Sequence, residues 1–482
     1  MSPITPSFRD PAGGCFSFQG RVLRWVAADA VPDFEQFLQT QFARQGITQQ
    51  KIISSRRLEE EEAAALRESP GLDAFLAARP PGALYEHDRI AFPSYPHEWP
   101  PEMLWAAGRL TLELARAALA DGFGLKDATP HNILFRGTEP VFIDALSFER
   151  RNPGDPIWLA EAQLTRTFLL PLLANRRWGL LLAEIFTTRR DGLEPEEVYR
   201  WCGPLEQFSP RMLSLVSLPA WLSRRASPDN RKLYQPQLLA NPEKVQFILE
   251  SLFQRRVRTL AALQPAGQKK STWSDYMSTH SYDDPAFAAK EQFVNEALRE
   301  FKPARVLDAG ANTGHFSVLA AQAGAEVVAV DLDAACVGAI WRRAREQRLN
   351  IQPLVVNLAR PSPALGWRNQ ECPSFLDRAT GAFDGVLMLA LIHHLLVTER
   401  IPLEEILQLA YELTRSLLVI EFIEPQDDMF RRLTRGREAL HASLNAAVFE
   451  RACAAHFEIV RSLALPGTQR RMYCLKRKGG VR

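Results

Sequence analysis

The second half of the sequence predicts an α/β fold, a mostly parallel sheet with helices on both faces, behind an α+β N-terminal half. Three observations predict it. From Arg305 onward, short β-branched runs alternate with helical stretches, as when parallel strands are joined by crossover helices. Val306 to Phe316 reads as an apolar strand entering a glycine turn and then a helix, a geometry built to bring backbone close to a ligand. The chain closes on Phe457 to Leu465, the turn Pro466-Gly467 and Arg471 to Lys476, a hairpin that adds an antiparallel edge.

The strand runs are Val306-Leu307, Val327 to Val330, Leu354 to Val356, Val386 to Leu389 and Leu417 to Phe422, and the amphipathic stretch Pro285 to Phe301 precedes them as a helix. Upstream, Asn241 stands as a cap before Pro242, and Val245, Ile248, Leu249 and Leu252 recur at helical spacing until about Leu263. The polar stretch Gln264 to Thr272 has no periodicity and reads as a linker. A chain of 482 residues is too long for one core, so the division is residues 1–265 and residues 273–482.

Composition excludes several classes. With 46% hydrophobic and 24% charged residues and a net charge of +2, the chain is neither disordered nor fibrous. Basic runs such as Arg255-Arg256 and Arg470-Arg471 are interleaved with acids, so no continuous basic stripe calls for nucleic acid. The opening Met1-Ser-Pro-Ile-Thr-Pro lacks the pattern of a secretory signal. Thr167 to Phe186 is interrupted by Pro171 and Asn175-Arg176-Arg177, so no membrane span is expected. Six cysteines without a CxxC pair point away from zinc and disulfides and toward a reducing cytoplasm, with no metal expected.

The chemistry is concentrated at strand ends. Asp308 closes the first strand before Gly310, Asn312 and Gly314, and Asp331 ends the second, where a rigid carboxylate can accept two ribose hydroxyls. The spacing Gly310-x-Asn312-x-Gly314 lacks the G-x-G-x-x-G of a dinucleotide turn. It resembles the first motif of class I S-adenosylmethionine-dependent methyltransferases, with Asn312 where the middle glycine usually stands. That resemblance implies a Rossmann-like domain of seven strands and S-adenosyl-L-methionine as cofactor. It further implies that Asp308 holds the methionine part, Asp331 the ribose and Asn357 the adenine, with Asp333 a second candidate at the ribose.

An acceptor is expected beyond the fourth strand. There Phe383 to Leu395 runs from apolar residues into His393-His394, resembling the family's fourth motif. Histidine titrates near neutrality and serves as base or orienter, and the same pair also suits packing. Glu421 and Glu424 are expected at the end of the fifth strand, facing the same crevice. The catalytic candidates are therefore His393, His394 and Glu421. Pro361 to Trp367 suits a rigid loop that walls the acceptor pocket or pins the sheet edge.

In the first half, Leu125 to Phe135 followed by Val141-Phe142-Ile143-Asp144 resembles the catalytic and metal-binding loops of kinase-like phosphotransferases, with Asp127, Asn132 and Asp144 at the matching places. No strand lysine under a glycine loop precedes them, Gly13-Gly14 being a poor candidate, so these residues are expected to anchor a loop rather than transfer phosphate. Ser94 to Trp99 and Leu125 to Ala128, taken with the second half, resemble the NoeA-like nodulation methyltransferases over most of the length. The expected function is methyl transfer to an oxygen or nitrogen of a small-molecule or glycan-like acceptor, covered or selected by the first half. The rivals are an RNA methyltransferase, a bifunctional protein binding ATP and magnesium, and a non-catalytic cofactor-binding module.

Overall fold

Alternation decides the first sheet. In β1 (Gly13–Phe18) and β2 (Arg21–Val26), Phe16, Phe18, Leu23 and Trp25 fall on one face and meet Leu58, Leu66, Leu76 and Leu84 in one core. With β3 (Ser55–Arg57) and β4 (Ala83–His87) they form an antiparallel sheet in the order β1-β2-β4-β3. Arg24, between Leu23 and Trp25, is thereby turned to the opposite face, because successive side chains alternate. Two small ladders follow, β5 (Phe123–Leu125) with β8 (Phe148–Arg150) and the hairpin of β6 (Ile133–Arg136) and β7 (Glu139–Phe142). Helix Pro242–Ala262 starts where expected, and the Asn241 side chain accepts from the N–H groups of Glu243 and Lys244 at 2.9 and 3.2 Å.

The second sheet has seven strands: β9 (Arg305–Ala309), β10 (Glu326–Asp331), β11 (Ile351–Val355), β12 (Phe383–Met388), β13 (Thr414–Ile423), β14 (Phe457–Ala464) and β15 (Arg470–Arg477). Their order is β11-β10-β9-β12-β13-β15-β14. The first five are parallel, and β15 runs antiparallel to both β13 and β14. Val306, Val327, Ala329, Leu387, Leu417 and Val419 bury one face of the sheet against helix Asp284–Phe301, through Val294, Ala297 and Leu298 among others. The five parallel strands and β15 each begin a residue or more before their expected runs, whereas β14 ends at Ala464, one residue short of the expected Leu465.

Strand order reverses at β9, which pairs with β10 on one side and β12 on the other. The loops leaving the carboxyl ends there diverge to opposite faces, and such a switch point opens a crevice for a ligand. These elements belong to a computed structural model that describes residues 7, 9–225, 238–267 and 284–479. The opening residues 1–6, read as lacking a secretory signal, most of the linker and the start at residue 273 lie outside the described residues. Two compact units are present, one of residues 1–97, 103–265 and 365–372, the other of residues 98–102, 266–364 and 373–482. Among the described residues no helix is long and apolar enough to cross a membrane.

Candidate functional site

The turn after β9 is folded against the end of β10. The N–H groups of Gly310 and Ala311 both donate to the Val330 carbonyl, at 2.9 and 3.0 Å. The N–H of Asn312 donates to Asp331 Oδ2 at 2.8 Å and that of Asp333 to Oδ1 at 2.9 Å. Each carboxylate oxygen thus accepts one backbone bond and keeps a second lone pair, the requirement for gripping two adjacent hydroxyls. Gly310, Asn312 and Gly314 take φ of 74°, 49° and 79°, so Asn312 occupies the left-handed region as an asparagine can. Gly314 is needed on a second count, since a Cβ there would stand 2.8 Å from Ile340 Cγ1. That contact seats helix His315–Gln322 beside helix Ala334–Gln347.

Asp308 is buried, and its Oδ2 accepts from Ser317 Oγ at 2.5 Å. Burial pushes its carboxyl up to about 6, against the Ser317 bond; Asp331 raises it further and Lys290 opposes. Asp331 is likewise raised by burial, with the backbone N–H groups of Asp333, Asn312 and Leu332 opposing and the Asp333 charge adding to the rise. Such a pair of desolvated acids lowers its energy by meeting cationic or hydroxyl groups. Asn357 follows β11 and closes an Asx turn, its Oδ1 accepting from Ala359 N–H at 2.9 Å. Asp333 caps helix Ala334–Gln347 instead of standing open, accepting from Ala335 N–H at 2.9 Å. Leu332, 58% exposed beside Asp331, adds an apolar surface that single-residue motif reading passes over.

Beyond β12 the chain turns sharply. Ala390 takes φ of 51°, a conformation that costs a non-glycine residue about 1–2 kcal/mol and that lays Leu391 against Gly310. His393 and His394 follow with ring centroids 4.1 Å apart. His393 is buried, and desolvation holds its pKa well below the ordinary imidazole value, with His394, Arg470 and Lys290 adding to the effect. Desolvation lowers His394 as well. Both rings are therefore neutral at pH 7, in the form that accepts a proton.

Glu421 departs from expectation. It lies within β13 rather than at an exposed strand end, is 0% exposed, and accepts from Lys290 Nζ at 2.7 Å. Arg470 stands 3.8 Å from its other oxygen and pairs closely with Asp427, Nε to Oδ2 at 2.8 Å. Lys290 is 3% exposed, sits on helix Asp284–Phe301 and lies 5.2 Å from the Phe316 ring. A signal for it existed: Lys290 holds the position of a core residue in the run Ala286, Lys290, Val294, Ala297, so a cation there needs a buried partner. Glu424 lies one residue beyond β13, and Trp367 is 64% exposed.

In the first unit, Asp144 follows β7 and Asn132 precedes β6. Arg24 Nη1 pairs with Asp144 Oδ1 at 2.9 Å, and Ser147 Oγ donates to Oδ2 at 2.6 Å. Asn132 Nδ2 donates to Ser147 Oγ and to the Asp127 carbonyl at 3.0 and 3.2 Å. Arg24 Nε donates to His87 Nε2 at 3.0 Å, which fixes His87 neutral, its pKa held down to about 3 chiefly by burial. A guanidinium thus occupies the carboxylate at which a divalent cation would sit, and the residues present do not fit a magnesium nucleotide. Gly13 and Gly14 lie inside β1, paired with Val26 and Trp25, and form no phosphate loop.

Residues 282–458 match the family model described as a methyltransferase domain. The chain is 28% identical over 476 residues, 98% of its own length and 96% of the relative's, to the nodulation protein NoeA of Rhizobium meliloti (strain 1021). Among solved structures it is similar to the N-methyltransferase NodS from Bradyrhizobium japonicum WM9 in complex with S-adenosyl-L-homocysteine, at 12% identity and a TM-score of 0.32, over 44% of this chain and 100% of that one. It is also similar to the bifunctional kinase-methyltransferase WbdD, at 17% identity and a TM-score of 0.28, over 43% of each chain.

Proposed function

For a chain that is an S-adenosylmethionine-dependent methyltransferase, with its methyltransferase domain over residues 282–458, we propose transfer of the methyl group to an oxygen or nitrogen of a small-molecule or glycan-like acceptor. The observation that carries the site assignment is the carboxylate of Asp331, tied by the Asn312 and Asp333 N–H groups with one lone pair left on each oxygen. Asp331 takes the ribose hydroxyls, the loop Gly310, Asn312 and Gly314 shapes the bed, and Leu332 and Asn357 border the base. Asp308, buried and raised, takes the ammonium end.

The cofactor supplies a methyl group already activated on a sulfonium sulfur, so the protein's part is alignment and removal of one proton. His393 takes that role in this reading, with the His394 ring tilted against it: both are neutral, both lie in the segment after β12, and a neutral imidazole accepts the proton that the acceptor loses. Glu421 is assigned instead to positioning, since its carboxylate is spent on Lys290. Residues 1–265 form an accessory domain without phosphoryl transfer, residues 273–482 the methyltransferase domain, and the protein works in the cytoplasm.

The test is calorimetric titration of the whole protein with S-adenosyl-L-homocysteine, and methyl-labelled cofactor added to lysate to identify what gains label. Saturable binding that Asp331→Ala weakens, together with label transfer that the His393→Ala/His394→Ala variant abolishes, supports the reading. Absence of binding removes it.

A further inference from the structure

Two segments leave the carboxyl edge of the second sheet side by side. The π-helical turn His394–Thr398 follows β12, and helix Asp428–Thr434 with the short 3-10 turn Glu438–His441 follows β13. Between them lies a cavity of about 290 Å³ floored by Leu396, Val397, Ile401 and Leu433, with Arg400 and Arg437 at its rim and no acidic residue in its lining. Both arginines are exposed, and among the described residues neither enters an ion pair. Glu399, beside Arg400, pairs instead with Arg360, and Glu438, beside Arg437, accepts from the Gly436 N–H.

An apolar floor gains nothing from a bare inorganic anion, and two rim guanidiniums gain little from a neutral hydrocarbon. An organic anion satisfies both, because the floor removes apolar surface from water while each guanidinium makes charge-assisted hydrogen bonds. The size sits at the lower limit of small-molecule pockets, enough for a short chain or a single ring. Leu396 is buried and Val397, Ile401 and Leu433 are half-buried, whereas Leu440, which also lines the cavity, is 72% exposed. Leu396 is two residues past His394, so an occupant here belongs to the methyl acceptor's side of the domain.

We infer that this cavity holds the apolar part of the acceptor and that Arg400 and Arg437 hold an anionic group on it, so that the acceptor is an amphiphilic carboxylate or phosphate ester. This rests on the reading of the β12 end as the acceptor side.

The experiment titrates the full chain, saturated with S-adenosyl-L-homocysteine, with octyl phosphate, octanoate, octyl glucoside and inorganic phosphate. One of the two octyl anions is expected to bind at least about tenfold more tightly than octyl glucoside or inorganic phosphate, and the identity of the better anion distinguishes phosphate ester from carboxylate. Arg400→Gln/Arg437→Gln should weaken it by about tenfold or more, and Val397→Trp, which fills the floor, should abolish it. S-adenosyl-L-homocysteine affinity should stay within about twofold in both variants. Equal binding of octyl glucoside, insensitivity to the arginine pair, or capture of the protein only by phosphatidylcholine/phosphatidylglycerol vesicles would overturn the inference. Loss of the octyl anion with normal S-adenosyl-L-homocysteine binding sinks the pocket alone, whereas failure of S-adenosyl-L-homocysteine to bind the native chain sinks the cofactor site.

Discussion

Glu421 offers a perturbation whose size follows from its surroundings. Its carboxylate is fully buried and lies 2.7 Å from Lys290 Nζ, and burial opposes the charge on Lys290 while Glu421 restores it. Replacing Glu421 with Gln removes the balancing charge and retains the shape. Breaking a buried pair by deleting one partner costs about 3–5 kcal/mol. For a unit of this size each kcal/mol moves the melting temperature by about 2–4 °C, so the transition of the second unit should fall by roughly 6–20 °C. Lys290→Met/Glu421→Leu should recover most of this, because apolar replacement of both partners is often neutral or stabilising, and Arg470 keeps Asp427. Calorimetric scans of the four proteins give the coupling directly, expected at about 2 kcal/mol or more. If Glu421→Gln shifts the melting temperature by less than about 2 °C while turnover collapses, Glu421 is the proton acceptor after all, and the positioning role assigned to it is wrong.

Three further outcomes follow from the site. Asp331→Ala should weaken S-adenosyl-L-homocysteine binding by about 1–3 kcal/mol, read by titration calorimetry, since a charge-assisted pair of hydrogen bonds is lost; an unchanged affinity refutes the ribose assignment. The same affinity should be flat above pH 7 and weaken by up to about tenfold per unit below about pH 6 as Asp308 takes up its proton. Because the folded pKa of Asp308 is raised from 3.8 to about 6, the native state binds the extra proton in that window. The stability this contributes is full below the unfolded value and is lost as pH rises through the folded one. Asp308→Asn should erase the pH limb, and its persistence would assign it to another group. Fluorescence titration of the full chain with a labelled ATP and magnesium should show no saturable magnesium-dependent binding; binding that Asp144→Ala abolishes would make the first unit a live nucleotide site.

The sheet was legible because its signal is periodic and local. Each parallel strand is buried on both faces and announces itself as a β-branched run, and the turn Gly310-x-Asn312-x-Gly314 marks the one place where backbone must turn left-handed beside Asp331. Pro242 after Asn241 marked a helix start for the same local reason. Long-range pairing was not legible. Nothing in Leu418 to Phe422 says that the glutamate within the run will meet a lysine 131 positions earlier, so a buried, neutralised carboxylate reads like a free one at a strand end. Ala390 was invisible for another reason: only the observed left-handed φ shows the strain that redirects the chain toward His393.

Arg24 shows how far local motif spacing carries in the first unit. Asp127, Asn132 and Asp144 keep the separations of a metal-binding loop, but separation along the chain does not say what neutralises the carboxylate. Strand alternation does: Leu23 and Trp25 face the core, so the residue between them must face the other way, and there Arg24 meets Asp144 at 2.9 Å. A buried arginine cannot shed its charge, so it requires an anion as firmly as the carboxylate requires a cation. Each satisfies the other, and Asn132 and Ser147 close the remaining hydrogen bonds. A divalent ion entering here would have to displace a guanidinium that has nowhere else to place its charge, which is why the loop geometry survives while the chemistry it resembles does not follow from it.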